Sequence, residues 1–196
     1  MSEAHVFALG LALACLAGVR AYLTVFGVGL AGLMGWVDLP SALAPTMSPW
    51  VLGTAGALTI VEFALDKVPG VDSGWDLLQT LARVPAGAFL TAATLSDGGE
   101  LAAGALALGA GAAFTTHAVK AGSRAMINAS PEPMSNWTAS LGEDVAALGA
   151  LALVFAYPWW ALALLFAVLG TIALVVWLLA RWVWRRLRPS PAVATR

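Results

Sequence analysis

Six long apolar runs separate the polar segments of this chain, and this pattern constrains its fold more than any other feature. A helix that crosses a bilayer needs roughly 20 mostly apolar residues. Only 11% of the 196 residues are charged and 60% are hydrophobic, whereas a soluble domain carries about 25% charged residues. The sequence therefore predicts an all-α membrane protein, with residues 1–196 forming a single transmembrane domain.

The apolar runs predict about six transmembrane helices, each bounded by proline, glycine or clustered polar residues. The runs cover approximately residues 6–33, 50–65, 76–95, 101–126, 137–156 and 159–183. We expect the third of these spans to be short or partly re-entrant, because it begins within a strongly charged segment.

Positive charge is concentrated near the C-terminus, where Arg181, Arg185, Arg186 and Arg188 occur. Cytoplasmic segments of membrane proteins are enriched in Lys and Arg, so residues 185–196 are predicted to form a basic cytoplasmic tail. With six spans, the N-terminus is then cytoplasmic as well. The segments predicted to lie outside contain neither Lys nor Arg, which agrees with this orientation.

A short internal similarity suggests a repeat. Residues 17–21 read AGVRA and residues 121–125 read AGSRA. Each lies in the first span of a three-span half, at about 6–97 and 98–184. Halves with an odd number of spans enter the membrane from opposite sides, which is typical of transporters whose binding site lies between inverted repeats. Chance similarity between two alanine-rich segments is the alternative.

The few ionisable residues within these runs are the candidate functional residues. A charge at the bilayer centre costs about 2.5–3.5 kcal/mol on insertion scales, so such groups are paired, hydrated or functional. Helical spacing places many of them on shared faces. The candidate ion-binding or substrate-binding residues are Arg20, Glu62, Asp66, Asp72, Asp76, Gln79, Arg83, His117, Lys120, Arg124, Asn128, Asn136, Ser140, Glu143 and Asp144.

Arg20 is the sharpest of these features, because it lies near the middle of the first predicted span. It is too deep to reach the membrane surface easily, so we expect it to meet a carboxylate from another helix. His117 is a candidate proton relay, or a plain hydrogen-bonded histidine. With Lys67 included, five bases stand against six acids, and this near-balance predicts an interior network of ion pairs. One alternative is that these pairs only hold the helices together.

Several other classes of function find little support. The net charge of −1 gives no basis for nucleic-acid binding. Metalloprotease, hydrolase and phosphate-loop motifs are missing, so we expect neither an enzyme nor a cofactor. The aspartates from Asp66 to Asp76 superficially resemble those of CDP-alcohol phosphotransferases, but the second aspartate pair of that family is missing. If a hard metal binds, its ligands would be Glu62, Asp66, Asp72 and Asp76.

The ordered polar residues resemble those of a bacterial integral membrane family, domain of unknown function 4126. The resemblance covers roughly residues 10–165. Its motifs are GVRAYL, the polar series from Glu62 to Gly87, HAVKAGSRAMINAS, and the series Asn136, Ser140, Glu143 and Asp144. The resemblance implies a small multi-span protein of the bacterial inner membrane, and it implies no activity.

Together these features predict a small transporter or channel-like protein with a charged intramembrane site for an ion or small polar solute. The alternatives are a structural, accessory or lipid-binding membrane protein and, less favoured, a metal-dependent lipid-modifying enzyme. The lipid bilayer is the expected partner. A homo-oligomer is possible, because Gly104, Ala107, Gly111 and Thr115 form a stripe of small residues that permits close helix contacts.

Overall fold

The computed structural model describes residues 2–68, 71–96, 100–128 and 133–187. These ranges contain helices and no strand, which confirms the all-α fold class. The α-helices are α1 Glu3–Val19, α2 Ala21–Leu33, α3 Pro49–Leu65, α4 Val71–Thr94, α5 Ala103–Asn128, α6 Pro133–Ala156 and α7 Pro158–Leu187. A short 3-10 helix, Ser41–Met47, precedes α3.

Local sequence accounts for several of the helix ends. Ser2 caps α1, because its hydroxyl accepts a hydrogen bond from the backbone N–H of His5 at 3.3 Å. Ser48 caps α3 in the same way, and Pro49 occupies the first helical position, where a missing N–H costs nothing. Pro158 begins α7, and only Tyr157 separates it from the end of α6.

The first predicted span is not one helix, because the chain leaves the helical conformation at Arg20. The backbone of Arg20 has φ −144° and ψ 82°, which ends α1 and starts α2 one residue later. Its N–H still donates to Leu16, and its carbonyl accepts from both the N–H and the hydroxyl of Thr24. The break therefore satisfies the backbone of Arg20 without a proline or a glycine.

Helix α1 runs in the same direction as α5. The carbonyl of Cys15 accepts a hydrogen bond from Thr116, and the carbonyl of Val19 accepts one from Lys120. Residue numbers thus increase together along the two helices. Gly18 permits this close approach, since an added Cβ would lie 1.8 Å from the hydroxyl oxygen of Thr116.

Helix α2 runs in the same direction as α6. Arg20 pairs with Asp144, and about two turns further along both helices Gly27 packs against Leu151. Helices α5 and α6 are antiparallel neighbours, because Arg124 near the end of α5 pairs with Glu143 in the first half of α6. Helix α1 has the direction of α5, and α2 has the direction of α6. Because α5 and α6 are antiparallel, α1 and α2 are antiparallel to each other.

The two helices therefore form a hairpin with Arg20 at its tip, and the prediction of one continuous helix over residues 6–33 is wrong. Hydropathy alone shows one apolar stretch that is long enough to span a bilayer. Hydropathy cannot detect that the chain reverses its direction at Arg20, because this reversal depends on contacts between Arg20 and other helices. The third predicted span also differs from the expectation of a short element, because α4 is a continuous helix of 24 residues.

The hairpin places the described ends of the chain at opposite ends of the bundle. Helix α7 runs alongside α5 in the same direction, because Phe166 lines a cavity with Leu108 and Trp177 lines one with Gly122. Helix α1 thus begins at one end of the bundle, and α7 finishes at the other. This differs from the expectation that both termini lie on one side.

The parallel course of α1 and α5 bears on the predicted repeat. The AGVRA segment ends α1 and begins α2, and the AGSRA segment lies in α5. Because these helices run in the same direction, the two segments are not inverted with respect to each other. The structure thus gives no support to inverted halves.

Two of the described helices are long and apolar enough to cross a membrane, over residues Trp137–Ala156 and Pro158–Arg186. The 3-10 helix and α3 make a third span if this pair, bent by 65°, is counted as one. Helices α1 and α2 are apolar but shorter. These helices support the membrane class, and they do not confirm six spans.

The apolar core fills the bundle between the base of the hairpin and its tip. Its fully buried side chains come from the hairpin, the 3-10 helix, α4 and α6, and they include Leu13, Val28, Leu43, Leu90 and Val154. The hairpin tip meets α4 and α6 close to their middles, so polar groups at the tip lie far from either end of these helices.

Candidate functional site

Ten charged side chains meet around the tip of the hairpin, and we call them the ionic network. They come from the tip itself, the end of α3, the first half and middle of α4, the second half of α5 and the middle of α6. The network consists of Arg20, Glu62, Asp66, Lys67, Asp76, Arg83, Lys120, Arg124, Glu143 and Asp144. Five of the ten are basic and five are acidic, so the charges balance.

Arg20 lies at the centre of the network and is fully buried. Its guanidinium forms salt bridges with Asp66, just past α3, and with Asp144 of α6. It also lies over the ring of Phe63, 5.0 Å from the ring centroid, a favourable contact for a desolvated cation. The prediction that Arg20 meets a carboxylate from another helix is confirmed.

Lys120 joins the carboxylates of three elements. Its ammonium nitrogen lies 3.1 Å from Asp66 and 3.5 Å from both Asp76 and Glu143. It also donates to the carbonyl of Val19 at 3.3 Å. This carbonyl belongs to the last turn of α1, where the helix dipole favours a positive charge. Lys120 thus fixes the hairpin to α5 and to the network at once.

A branch of the network on α4 centres on Arg83. Its guanidinium lies 3.0 Å from Glu62 and 2.9 Å from Asp76, and 2.7 Å from Nδ1 of His117. The Nε2 atom of His117 lies 2.7 Å from the hydroxyl of Thr80. Because arginine only donates hydrogen bonds, Nδ1 must accept and Nε2 must carry the proton. His117 is therefore a neutral, fully hydrogen-bonded histidine in this structure.

A second branch reaches the more accessible side of the network. Arg124 binds both carboxylate oxygens of Glu143 at 2.9 Å, and Lys67 lies 2.7 Å from Asp144. Side-chain exposure is 21% for Glu143, 19% for Lys67 and 11% for Asp144, whereas Glu62 has none. The network thus extends from a fully enclosed end at Glu62 to a partly open end on α6.

The structure brings most of the predicted residues together, and Gln79 and Ser140 lie one helical turn from Arg83 and Asp144. Gln79 and Ser140 are buried, yet the amide of Gln79 and the hydroxyl of Ser140 have no hydrogen-bond partner among the described residues. The side chains of Asp72, Asn128 and Asn136 lie outside the described part of the structure. Their assignment as binding residues stays a prediction.

Three contributors were not among the predicted binding residues. Lys67 follows Asp66 directly, and this adjacent pair of charges was the available signal. Thr80 lies one turn after Asp76 on α4 and contacts His117, but threonine is common in membrane helices. Phe63 lies beneath both Arg20 and Lys67. An aromatic residue in an apolar run gives no signal that it contacts a cation.

The described carboxylates of the proposed metal set are engaged by basic side chains. Glu62 pairs with Arg83, Asp66 with Arg20 and Lys120, and Asp76 with Arg83. Among the residues that the structure describes, no three His, Cys, Asp or Glu side chains are grouped so as to hold a metal ion. The geometry therefore favours charge pairing over metal coordination at this site.

A family model described as Domain of unknown function (DUF4126) matches residues 7–181. The chain belongs to this family. The DUF4126 match includes all ten members of the ionic network and most of α7. Neither the curated proteins nor the solved structures that were searched contain a match to the chain.

The arrangement in this DUF4126 protein has a clear chemical consequence. A buried charge that loses its partner is strongly destabilising, so any movement of the hairpin tip must exchange one ion pair for another. The network offers such exchange, since Asp66 contacts two cations and Lys120 contacts three carboxylates. A charged solute that enters from the open end would find groups of both signs.

Proposed function

We propose that this DUF4126 protein is a small transporter or channel-like protein, and that its solute, an ion or small polar molecule, passes through the ionic network. The observation that carries this proposal is the convergence of ten charged side chains on the tip of the hairpin, inside the bundle. Buried ion pairs stabilise a fold less well than apolar packing does. Their retention within a membrane protein is a mark of function.

Two further features support this proposal. Breaks in helices are the usual setting for solute sites in transporters, and Arg20 lies at a break between two helices. Buried polar atoms are nearly always hydrogen-bonded. One carboxylate oxygen of Glu62, the amide of Gln79 and the hydroxyl of Ser140 have no such partner within the described ranges. Water or a polar solute would supply the missing partners.

The membrane topology belongs to the same proposal. We place the hairpin as a re-entrant element and helices α3 to α7 as five crossings, in place of six full spans. Arg181, Arg185 and Arg186 then lie on the cytoplasmic side, and the N-terminus lies on the other. The membrane would be the inner membrane of a bacterium.

Cysteine labelling tests this topology. Ser2→Cys and Arg185→Cys are made separately, and cells are treated with a membrane-impermeant maleimide. We expect Ser2→Cys to react in intact cells and Arg185→Cys to react only after permeabilisation. Wild-type Cys15 is buried and serves as an unreactive control. Equal accessibility of both introduced cysteines would contradict five crossings.

Ion flux tests the role of the network. The full chain is reconstituted into liposomes, and uptake of protons, sodium, potassium, chloride and phosphate is measured against empty liposomes. We expect at least one of these to be transported. Glu62→Gln keeps the shape of the side chain and removes its charge beside Arg83. It should slow that flux about tenfold or more, which corresponds to a barrier change of about 1.4 kcal/mol.

Glu100→Gln is the matched control, because Glu100 is exposed and lies outside the network. It should transport at the wild-type rate. Circular dichroism of both variants checks that their helices are intact. Unaltered flux in Glu62→Gln, or no flux of any tested ion through the wild-type protein, would reject the assignment.

A further inference from the structure

A long apolar groove separates α7 from α5, away from the ionic network. It consists of two adjoining cavities of about 560 and 530 Å³, which share Thr115, Val119 and Ala173 as lining residues. Phe166 lies towards one end of the groove, and Trp177 lies at the other. The two cavities therefore form one continuous channel along the face of α7.

The groove has the length and shape of a single hydrocarbon chain. From Phe166 to Trp177 a helix rises about 16 Å, which is close to half of the roughly 30 Å hydrocarbon core of a bilayer. Its floor on α5 includes Gly111 and Gly122, where an added Cβ would meet nothing within 4 Å. The groove is thus one leaflet deep and is left open by the absence of side chains.

Basic residues continue the groove beyond its apolar part. Trp177, Arg181 and Arg185 follow at intervals of four residues, so each lies next to the one before it on the surface of α7. The guanidinium of Arg181 lies over the ring of Trp177, 5.0 Å from its centroid. Both arginines are exposed. An apolar groove that ends at Trp177, with Arg181 against that ring and Arg185 one turn further, complements a phospholipid, whose acyl chain is joined through glycerol to a phosphate.

We propose that this groove binds an anionic phospholipid, with one acyl chain between α5 and α7 and the phosphate on Arg181 and Arg185. The charges argue against a second copy of the protein as the occupant. A symmetric partner that packed α7 against this groove would bring its own Arg181 and Arg185 towards the same arginines. The site is separate from the proposed transport path and does not depend on it.

Native mass spectrometry of the delipidated full chain tests the proposal. Phosphatidylglycerol or phosphatidylcholine is added back, and the bound lipids are counted. We expect retention of phosphatidylglycerol in preference to phosphatidylcholine. Arg181→Gln should weaken phosphatidylglycerol binding about fivefold, as expected for one charge near a lipid surface. Gly111→Leu should fill the groove and lower the retention of both lipids.

Matched controls are available for both variants. Arg186 stacks over Trp182 on another face of α7, so Arg186→Gln should bind as the wild type does. Gly149 on α6 is exposed, and a Cβ there meets nothing within 4 Å, so Gly149→Leu controls for an added leucine. Equal lipid binding by all variants would overturn the proposal. A wild-type dimer that Gly111→Leu converts to monomer would also overturn it, in favour of a second copy.

Discussion

Helices α1 and α7 are both strongly apolar, yet their surroundings are opposite. Almost every residue of α1 from Ala8 to Gly18 is buried by other helices, whereas only 6% of the apolar window of α7 is buried. The side chains differ in size: α1 is rich in alanine and glycine, and α7 is rich in leucine, valine and tryptophan. Small residues permit close helix packing, and large ones cover the lipid-facing surface.

The contrast between the buried helix α1 and the exposed helix α7 predicts that the largest loss of stability comes from a substitution at the tip of the hairpin. Arg20→Met removes the cation that pairs with Asp66 and Asp144 and leaves buried carboxylates without it. Breaking a buried pair in this way costs about 3–5 kcal/mol. Denaturant titration of the purified protein in detergent micelles measures the free energy of unfolding. Arg181→Met on α7 is the control. An equal loss of unfolding free energy in both variants would contradict the difference between the buried arginine and the exposed one.

The second largest loss of stability is expected at a buried apolar residue of α1. Leu13 is fully buried in the apolar core, so Leu13→Ala leaves a cavity among the hairpin, α4 and α6. Such substitutions cost about 2–5 kcal/mol. The same titration measures this loss. A change below about 0.5 kcal/mol, typical of surface sites, would mean that α1 is not held within the bundle.

Much of this fold could be predicted from hydropathy, and the hairpin could not. The apolar runs predicted helices and their approximate ends, because proline and clustered polar residues bound them. The reversal at Arg20 carries no such signal, since no proline and no cluster of polar residues lies beside it. What stabilises the reversal is a set of contacts with Asp66, Lys120 and Asp144, and these depend on the packing of distant helices.

The candidate site was also predictable only in part: its residues could be predicted from the sequence, and their partners could not. Charged residues are rare in the apolar runs, so nearly every member of the network was visible from sequence. Helical spacing also predicted that Asp76, Gln79 and Arg83 share one face, and all three are buried on α4. The partners of each residue were not predictable, because they depend on which helices are neighbours. That the network binds a solute stays a prediction.

The smallest effect should come from the exposed part of α7. Leu178 is 49% exposed and lies beyond the groove, so Leu178→Ala removes little contact with other helices. We expect a change within about 0.5 kcal/mol, although the same substitution at Leu13 is strongly destabilising. The same Leu→Ala substitution would then destabilise the protein strongly in α1 and hardly at all in α7, although both helices are apolar. A loss at Leu178 as large as that at Leu13 would show that α7 packs against another protein surface, and the lipid-facing role assigned to its large side chains would be wrong.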